Sequence, residues 1–179
     1  SEMCIRDRLK TMQERALDTT KPGTVNPKEL LQLELLTSFE KYTKCLFKAQ
    51  YHRSFIVAEH HKKMFKALQD VVDGRCKRLI INIAPRYGKT ELVIKSFISW
   101  CFALNPKCRF LHLSYSDILV NDNSETIRNI MQEELYKTLF PNSALASEKG
   151  SAKRWKTKAG GELYAVSTQG QVTGFGAGN

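Results

Sequence analysis

Six consecutive residues, Pro85-Arg86-Tyr87-Gly88-Lys89-Thr90, hold the groups best suited to chemistry in this chain of 179 residues. Gly88 lets the backbone approach an anion closely, Lys89 supplies a point charge, and the Thr90 hydroxyl can ligate a divalent cation. Where a strand ends and a helix begins, such residues would cradle a phosphate. The amides of the loop and of the helix start point at the anion, and the helix dipole adds to the attraction. On this reading the loop binds ATP: Lys89 reaches the β- and γ-phosphates and Thr90 holds Mg²⁺ through the nucleotide. Arg86 has two readings of equal standing. It is a solvated surface guanidinium, or it stabilises charge on the γ-phosphate as an arginine finger in cis. Tyr87 reads as packing or positioning. The strict phosphate-loop pattern wants another Gly five residues before Gly88, where Ile83 stands. The context of the loop therefore has to carry the motif.

That context is legible in the hydrophobic period. Leu79-Ile80-Ile81-Asn82-Ile83-Ala84 is a short, nearly continuous apolar run rich in β-branched residues, which predicts a strand buried on both faces. Residues 88–104 switch to helical spacing, with Val93, Phe97, Trp100, Cys101 and Leu104 on one side, until Asn105-Pro106 stops them. A second strand is expected over residues 109–114. A long helix follows from about Asp117, read as its cap, to Thr138, and Pro141 breaks it. Upstream, Asn26-Pro27 predicts a helix start carried on through Leu30, Leu31, Leu33, Leu35 and Leu36. Residues 54–72 read as an amphipathic helix ended by Gly74. Near the far end, Arg154-Trp155-Lys156-Thr157 and Glu162-Leu163-Tyr164-Ala165-Val166 flank Gly160-Gly161 as a hairpin would. Strand, helix, strand, helix in this order predicts an α/β domain with a parallel sheet.

Composition narrows the partners. Lys and Arg number 28 against 18 Asp and Glu, a formal charge of +10. Residues 41–78 alone hold ten basic residues against Glu59, Asp70 and Asp73, and residues 149–158 add five with no acid. Such surfaces suit a polyanion gripped by its backbone, although solvated helix faces would look the same. His52, His60 and His61 precede the loop and read as helix-surface residues, as does the face Glu125-Asn129-Glu133. Cys4, Cys45, Cys76, Cys101 and Cys108 show no CxxC pair, so reduced thiols are expected rather than zinc or a disulfide frame. The longest apolar run, Phe97-Ile98-Ser99-Trp100-Cys101-Phe102-Ala103-Leu104, is far short of the roughly 20 residues a membrane span needs, and no secretory signal opens the chain.

Residues 1–8, Ser-Glu-Met-Cys-Ile-Arg-Asp-Arg, resemble the translation of a transposon-end sequencing adapter, and are expected to be a scar. Gly176-Ala177-Gly178-Asn179 closes the chain in a glycine-rich stretch, so both ends look cut and a fragment is expected. Residues 9–53 then form a helical lead-in and residues 54–179 a partial ATPase domain.

The stretch from Arg78 through the loop to Glu91-Leu92-Val93 resembles the variant Walker A of the large terminase subunit of tailed bacteriophages, Pro-Pro-Arg-x-Gly-Lys-Ser/Thr-Glu, with Ala84 in place of the first Pro. Asn105-Pro106 and Leu113-Ser114-Tyr115-Ser116-Asp117 are similar to that family's second strand and turn. Trp155-Lys156-Thr157, Gly160-Gly161 and Gly170-Gln171-Val172-Thr173-Gly174-Phe175-Gly176-Ala177-Gly178 are similar to the segment leading to its Walker B strand. These blocks run in order over roughly residues 54–179.

The resemblance implies a P-loop NTPase fold of the RecA/ASCE type, a parallel sheet flanked by helices, cut before the Walker B strand. It implies an ATP- and Mg²⁺-dependent motor that drives double-stranded DNA into a procapsid in the host cell cytoplasm. It also implies a ring of identical subunits, portal and small-terminase partners, and a downstream nuclease domain in the parent protein. Without the acidic Walker B residues, this stretch alone is expected to hydrolyse ATP negligibly. Two other readings remain at this point: a helicase-like P-loop translocase, and a basic DNA-binding module whose loop holds phosphate without turnover.

Overall fold

Asn26 opens the first helix, α1 (Pro27–Thr37), in the computed structural model, which describes residues 26–147 and 151–168. Its side chain accepts the Lys28 N–H at 3.0 Å, and Pro27 takes the first helical position, where no N–H is needed. The expected adapter scar at residues 1–8, residues 9–25 of the lead-in and the glycine-rich stretch 170–178 lie outside the described residues. Two compact units divide after Tyr87.

In the first unit, Ser38 separates α1 from α2 (Phe39–Tyr51) and caps the latter, accepting from the Lys41 N–H at 3.3 Å. His52, at φ 54°, closes α2 in the left-handed region. Residues 54–58 are not helical, so α3 (Glu59–Val72) begins at Glu59 rather than near residue 54. It ends as expected, with Gly74 at φ 75°. Phe39 and Phe65 meet edge to face at 5.5 Å, and Phe55 lies 5.1 Å from Phe47. Leu46, Met64 and Leu68 are buried with them. This cluster of rings ties α2 and α3 together and fixes where α3 begins.

The apolar run at residues 79–84 corrects the sequence expectation. It forms no strand among the described residues, and Ile80 is 93% exposed. A strand buried on both faces exists only with neighbours to pair its N–H and C=O groups.

The second unit opens with helical residues Lys89 and Thr90 and a π-helical segment, Glu91–Ser96, which leads into α4 (Phe97–Leu104). Residues 98–104 are all buried, where the spacing had predicted a single buried face. The cause is cover on several sides, from α5 (Asp117–Gln132), the π-helical segment and a 3-10 turn, Pro141–Ser143. The polar groups in this dry environment are matched. Tyr136 donates its hydroxyl to the Ser99 carbonyl at 3.0 Å, and Ser143 donates to the Phe102 carbonyl at 2.7 Å.

The helix expected to run to Thr138 instead breaks at Glu133, whose ψ of 138° is not helical, and resumes as α6 (Glu134–Leu139). Ser116 rather than Asp117 caps α5, accepting from the Leu119 N–H at 3.4 Å. Asp117 occupies the first turn, where its charge suits the dipole.

The sheet holds β1 (Arg109–Ser114), β2 (Arg154–Lys156) and β3 (Glu162–Ser167) in the order β1-β3-β2. β1 runs parallel to β3 with Phe110 opposite Leu163, and β2 is antiparallel to it with Trp155 opposite Leu163. The expected hairpin is therefore present, and Gly160 turns at φ 95°. Phe110 and His112 share one face with Leu163 and Ala165, by the two-residue period of strands. On that face Phe110 meets Phe102 of α4 at 5.1 Å, and Asn123 of α5 reaches His112 at 3.5 Å. Trp155 packs on Phe102 and donates its indole N–H to Ser124 at 2.9 Å. The chain is thus α/β, with a small mixed sheet, and among the described residues no helix is long and apolar enough to cross a membrane.

Candidate functional site

Backbone conformation sets the loop apart. Among the described residues only His52 and Arg86 have positive φ without being Gly, and Arg86 sits at 68°. Gly88, two residues on, adopts φ 75°. For an L-residue with a long side chain this region costs about 1–2 kcal/mol, and it persists only when the surroundings impose it. Left-handed residues alternating with others curl a chain so that successive N–H groups converge, the geometry of anion-binding nests.

A helix follows at once. The Leu92 N–H bonds back to the Gly88 carbonyl at 3.0 Å, so the amides of Lys89, Thr90 and Glu91 precede the first intrahelical bond. The π-helical register from Glu91 onward is rare in proteins and concentrates at functional sites. Pro85, Arg86, Lys89 and Thr90 are exposed, Tyr87 is 52% exposed, and Gly88 is partly covered. No ion pair occupies Arg86 or Lys89 among the described residues. The neighbouring acid is engaged, since Glu91 pairs with Lys95 at 3.3 Å.

Tyr87 closes the first unit, and α3 supplies its neighbours there. The His60 ring lies 5.4 Å from the Tyr87 ring and 3.9 Å from that of His61. His61 accepts the Ala58 N–H through Nδ1 at 3.0 Å. Burial and the adjacent His60 hold the His61 pKa below its ordinary value, opposed by hydrogen bonding to the Tyr87 and Ile56 backbones. His61 is therefore neutral at pH 7, half-buried in the first turn of α3, and caps that helix. A signal was available in its position three residues after Ala58, a cap site whose side chain offers no oxygen.

No cluster of three or more His, Cys, Asp or Glu could hold a metal among the described residues. The one loop group suited to Mg²⁺ is the Thr90 hydroxyl, a hard oxygen donor in the open, and it would share the ion with phosphate oxygens. The cysteines carry no such chemistry. Cys101 and Cys108 have thiols pushed up by burial, Cys108 to about 11, which keeps them protonated and unreactive.

The basic residues of positions 41–78 are all exposed. Several are neutralised locally: Lys41 pairs with Glu34, Lys44 with Glu40, Lys62 with Glu59, and Lys66 and Arg75 with Asp70. Lys48, Lys63, Lys77 and Arg78 keep no ion pair among the described residues. Arg53 lies over the Phe47 and Tyr51 rings. In the second unit, Lys153, Lys156 and Lys158 are exposed, while Arg154 is committed to Glu162.

Sequence placed Glu162 in the hairpin but gave it no ionic role. Its side chain is 3% exposed and joins Arg109 at 3.2 Å and Arg154 at 2.5 Å. Burial works to raise its pKa, but the hydrogen bonds from Arg154 and Arg109 win and hold it below the usual carboxylate range. It is an acid at the start of a strand, bound to two structural arginines, not one poised to activate water.

No protein-family model, curated protein or solved structure matches the chain.

Proposed function

We propose that residues 85–90 bind the phosphates of ATP with Mg²⁺, and that the chain is part of the ATPase motor of a phage terminase large subunit. The single observation that supports this most is the backbone of the loop. Arg86 and Gly88 are left-handed on either side of Tyr87, directly before a helix that starts at Lys89. In this reading the loop and helix amides take the phosphate oxygens, Lys89 neutralises the β- and γ-phosphates, and Thr90 shares Mg²⁺ with them. Arg86, exposed and without an ion-pair partner, meets the γ-phosphate. The P-loop NTPase architecture belongs to the same proposal, with further strands beside residues 79–84 in the parent protein. So do translocation of double-stranded DNA, the ring of subunits with portal and small-terminase partners, and cleavage of DNA in the parent.

Binding is the property to test, because the described residues contain no strand ending in paired carboxylates. Calorimetry on the 179-residue chain should register Mg·ATP, and Lys89→Ala should weaken it at least tenfold. A chain that binds Mg·ATP equally well with and without Lys89 would remove the phosphate-loop reading.

A further inference from the structure

We propose that the cleft where α5 gives way to α6 binds a small amphipathic anion, an aryl or alkyl body carrying one carboxylate. The site lies wholly within the second unit and goes beyond the nucleotide-binding reading.

Two breaks in helical order open the cleft. Glu133, with ψ 138°, ends α5, and α6 starts anew at Glu134. Pro141–Ser143 then turn the chain, and residues 144–146 lie beside residues 156–158. The Ala146 N–H donates to the Lys156 carbonyl at 2.9 Å, and the Lys158 N–H to the Ala144 carbonyl at 2.8 Å. Between these walls is a volume of about 400 Å³, within the range of small-molecule sites.

The floor of the cleft is apolar and fixed. Met131, Tyr136, Phe140 and Leu145 line it and are buried. The Tyr136 hydroxyl donates to the Ser99 carbonyl at 3.0 Å, and its ring meets that of Phe140 at 5.1 Å. Ser143 ties the turn to the Phe102 carbonyl at 2.7 Å. A floor held in this way needs little ordering when a ligand arrives.

The charge is of one sign. Lys137 and Lys158 line the cleft and no carboxylate does. Both are exposed, so their ammonium groups stand where the cleft meets solvent. Lys158 has no ion pair among the described residues. Lys137 has a 3.4 Å contact with Glu134, whose side chain is 89% exposed. Such an exposed pair is worth little and yields to a ligand. A polyphosphate would set charge against Met131 and Phe140 at a desolvation cost. One carboxylate on an apolar body meets the lysines and fills the floor as well.

The whole chain, carrying ¹³C at its methionine and alanine methyls, is titrated with 4-phenylbutyrate and with its neutral counterpart 4-phenylbutanol. The Met131, Ala144 and Ala146 signals should move saturably with the acid, at a Kd of about 1 mM or tighter. The alcohol should bind about fivefold more weakly, as the loss of two exposed ion pairs allows. Lys137→Gln with Lys158→Gln, at exposed positions that the fold does not need, should abolish that preference and leave the alcohol's affinity unchanged. Equal affinity of the wild type for acid and alcohol would overturn the anion assignment. Shifts confined to other methyls, or no saturable shift at all, would overturn the site. Binding of an acetylated Asp-Phe-Glu amide at the same methyls, about tenfold or more tighter than 4-phenylbutyrate, would overturn the small molecule as occupant in favour of a partner's chain.

Discussion

One buried carboxylate ties together all three strands of the sheet. Glu162 of β3 joins β1 to β2 through Arg109 and Arg154. Its pKa lies below that of the unfolded chain, so the unfolded state binds more protons and the carboxylate stabilises the fold above the unfolded value of about 4.3. That stability is lost as pH falls through the folded pKa. Glu162→Gln should therefore cost about 1 kcal/mol at neutral pH, discounted for the solvent around both arginines. It should also flatten the acid limb of stability below about pH 4, read by urea denaturation at several pH values. An unchanged acid limb would show that the pair contributes nothing. Sequence offered no hint of this bridge, because Arg109 and Glu162 are brought together only by the β1–β3 register. The loop residues are the opposite case, since their types and order already state a chemistry.

At the scale of elements, the hairpin shows how tightly a local motif can be held. A Cβ on Gly161 would fall 2.2 Å from the Pro106 carbonyl oxygen and 2.8 Å from that of Cys108, both backbone atoms with no freedom to move aside. Gly161→Ala should destabilise the second unit by about 1–3 kcal/mol, the usual cost of overpacking, seen as a lower thermal midpoint. Gly160→Ala tests a different mechanism. It meets nothing within 4 Å, so only its φ of 95° opposes the change. Equal losses at the two positions would contradict the contact argument. The Gly-Gly pair was readable as a turn, and so were the Asn26 cap and the Gly74 stop. The all-round burial of α4 and the break at Glu133 were not. Spacing along one helix reports its apolar stripe, but the number of neighbours that cover it depends on distant segments.

For the whole molecule, charge is the property that acts at a distance. The chain should bind double-stranded DNA without sequence preference, with affinity falling steeply as salt rises, because each phosphate contact releases counterions. Lys48→Ala with Lys63→Ala removes two exposed cations that have no ion-pair partner among the described residues. The slope of log K against log salt should drop by roughly 1 for each lysine that touches phosphate. Fluorescence anisotropy on duplexes of unrelated sequence measures it. Replacing Lys41 and Lys44, which are engaged by Glu34 and Glu40, should change the slope less. An identical slope for both pairs would mean that local ion pairing does not select the contacting residues.

Sequence by itself determined the features that arise within a few residues: helix starts and stops, the hairpin, the loop's set of phosphate-binding groups and the net positive charge. These depend on side chains meeting their own nearby backbone, or on composition alone. Tertiary structure alone decided the left-handed turn of Arg86, the contact of the His60 ring with Tyr87 and the bridge at Glu162. It also decided that residues 79–84, strand-like in composition, form no strand among the described residues. Strand pairing and loop strain are set by groups far apart in the chain, and an apolar run records a demand for partners without saying which segment meets it.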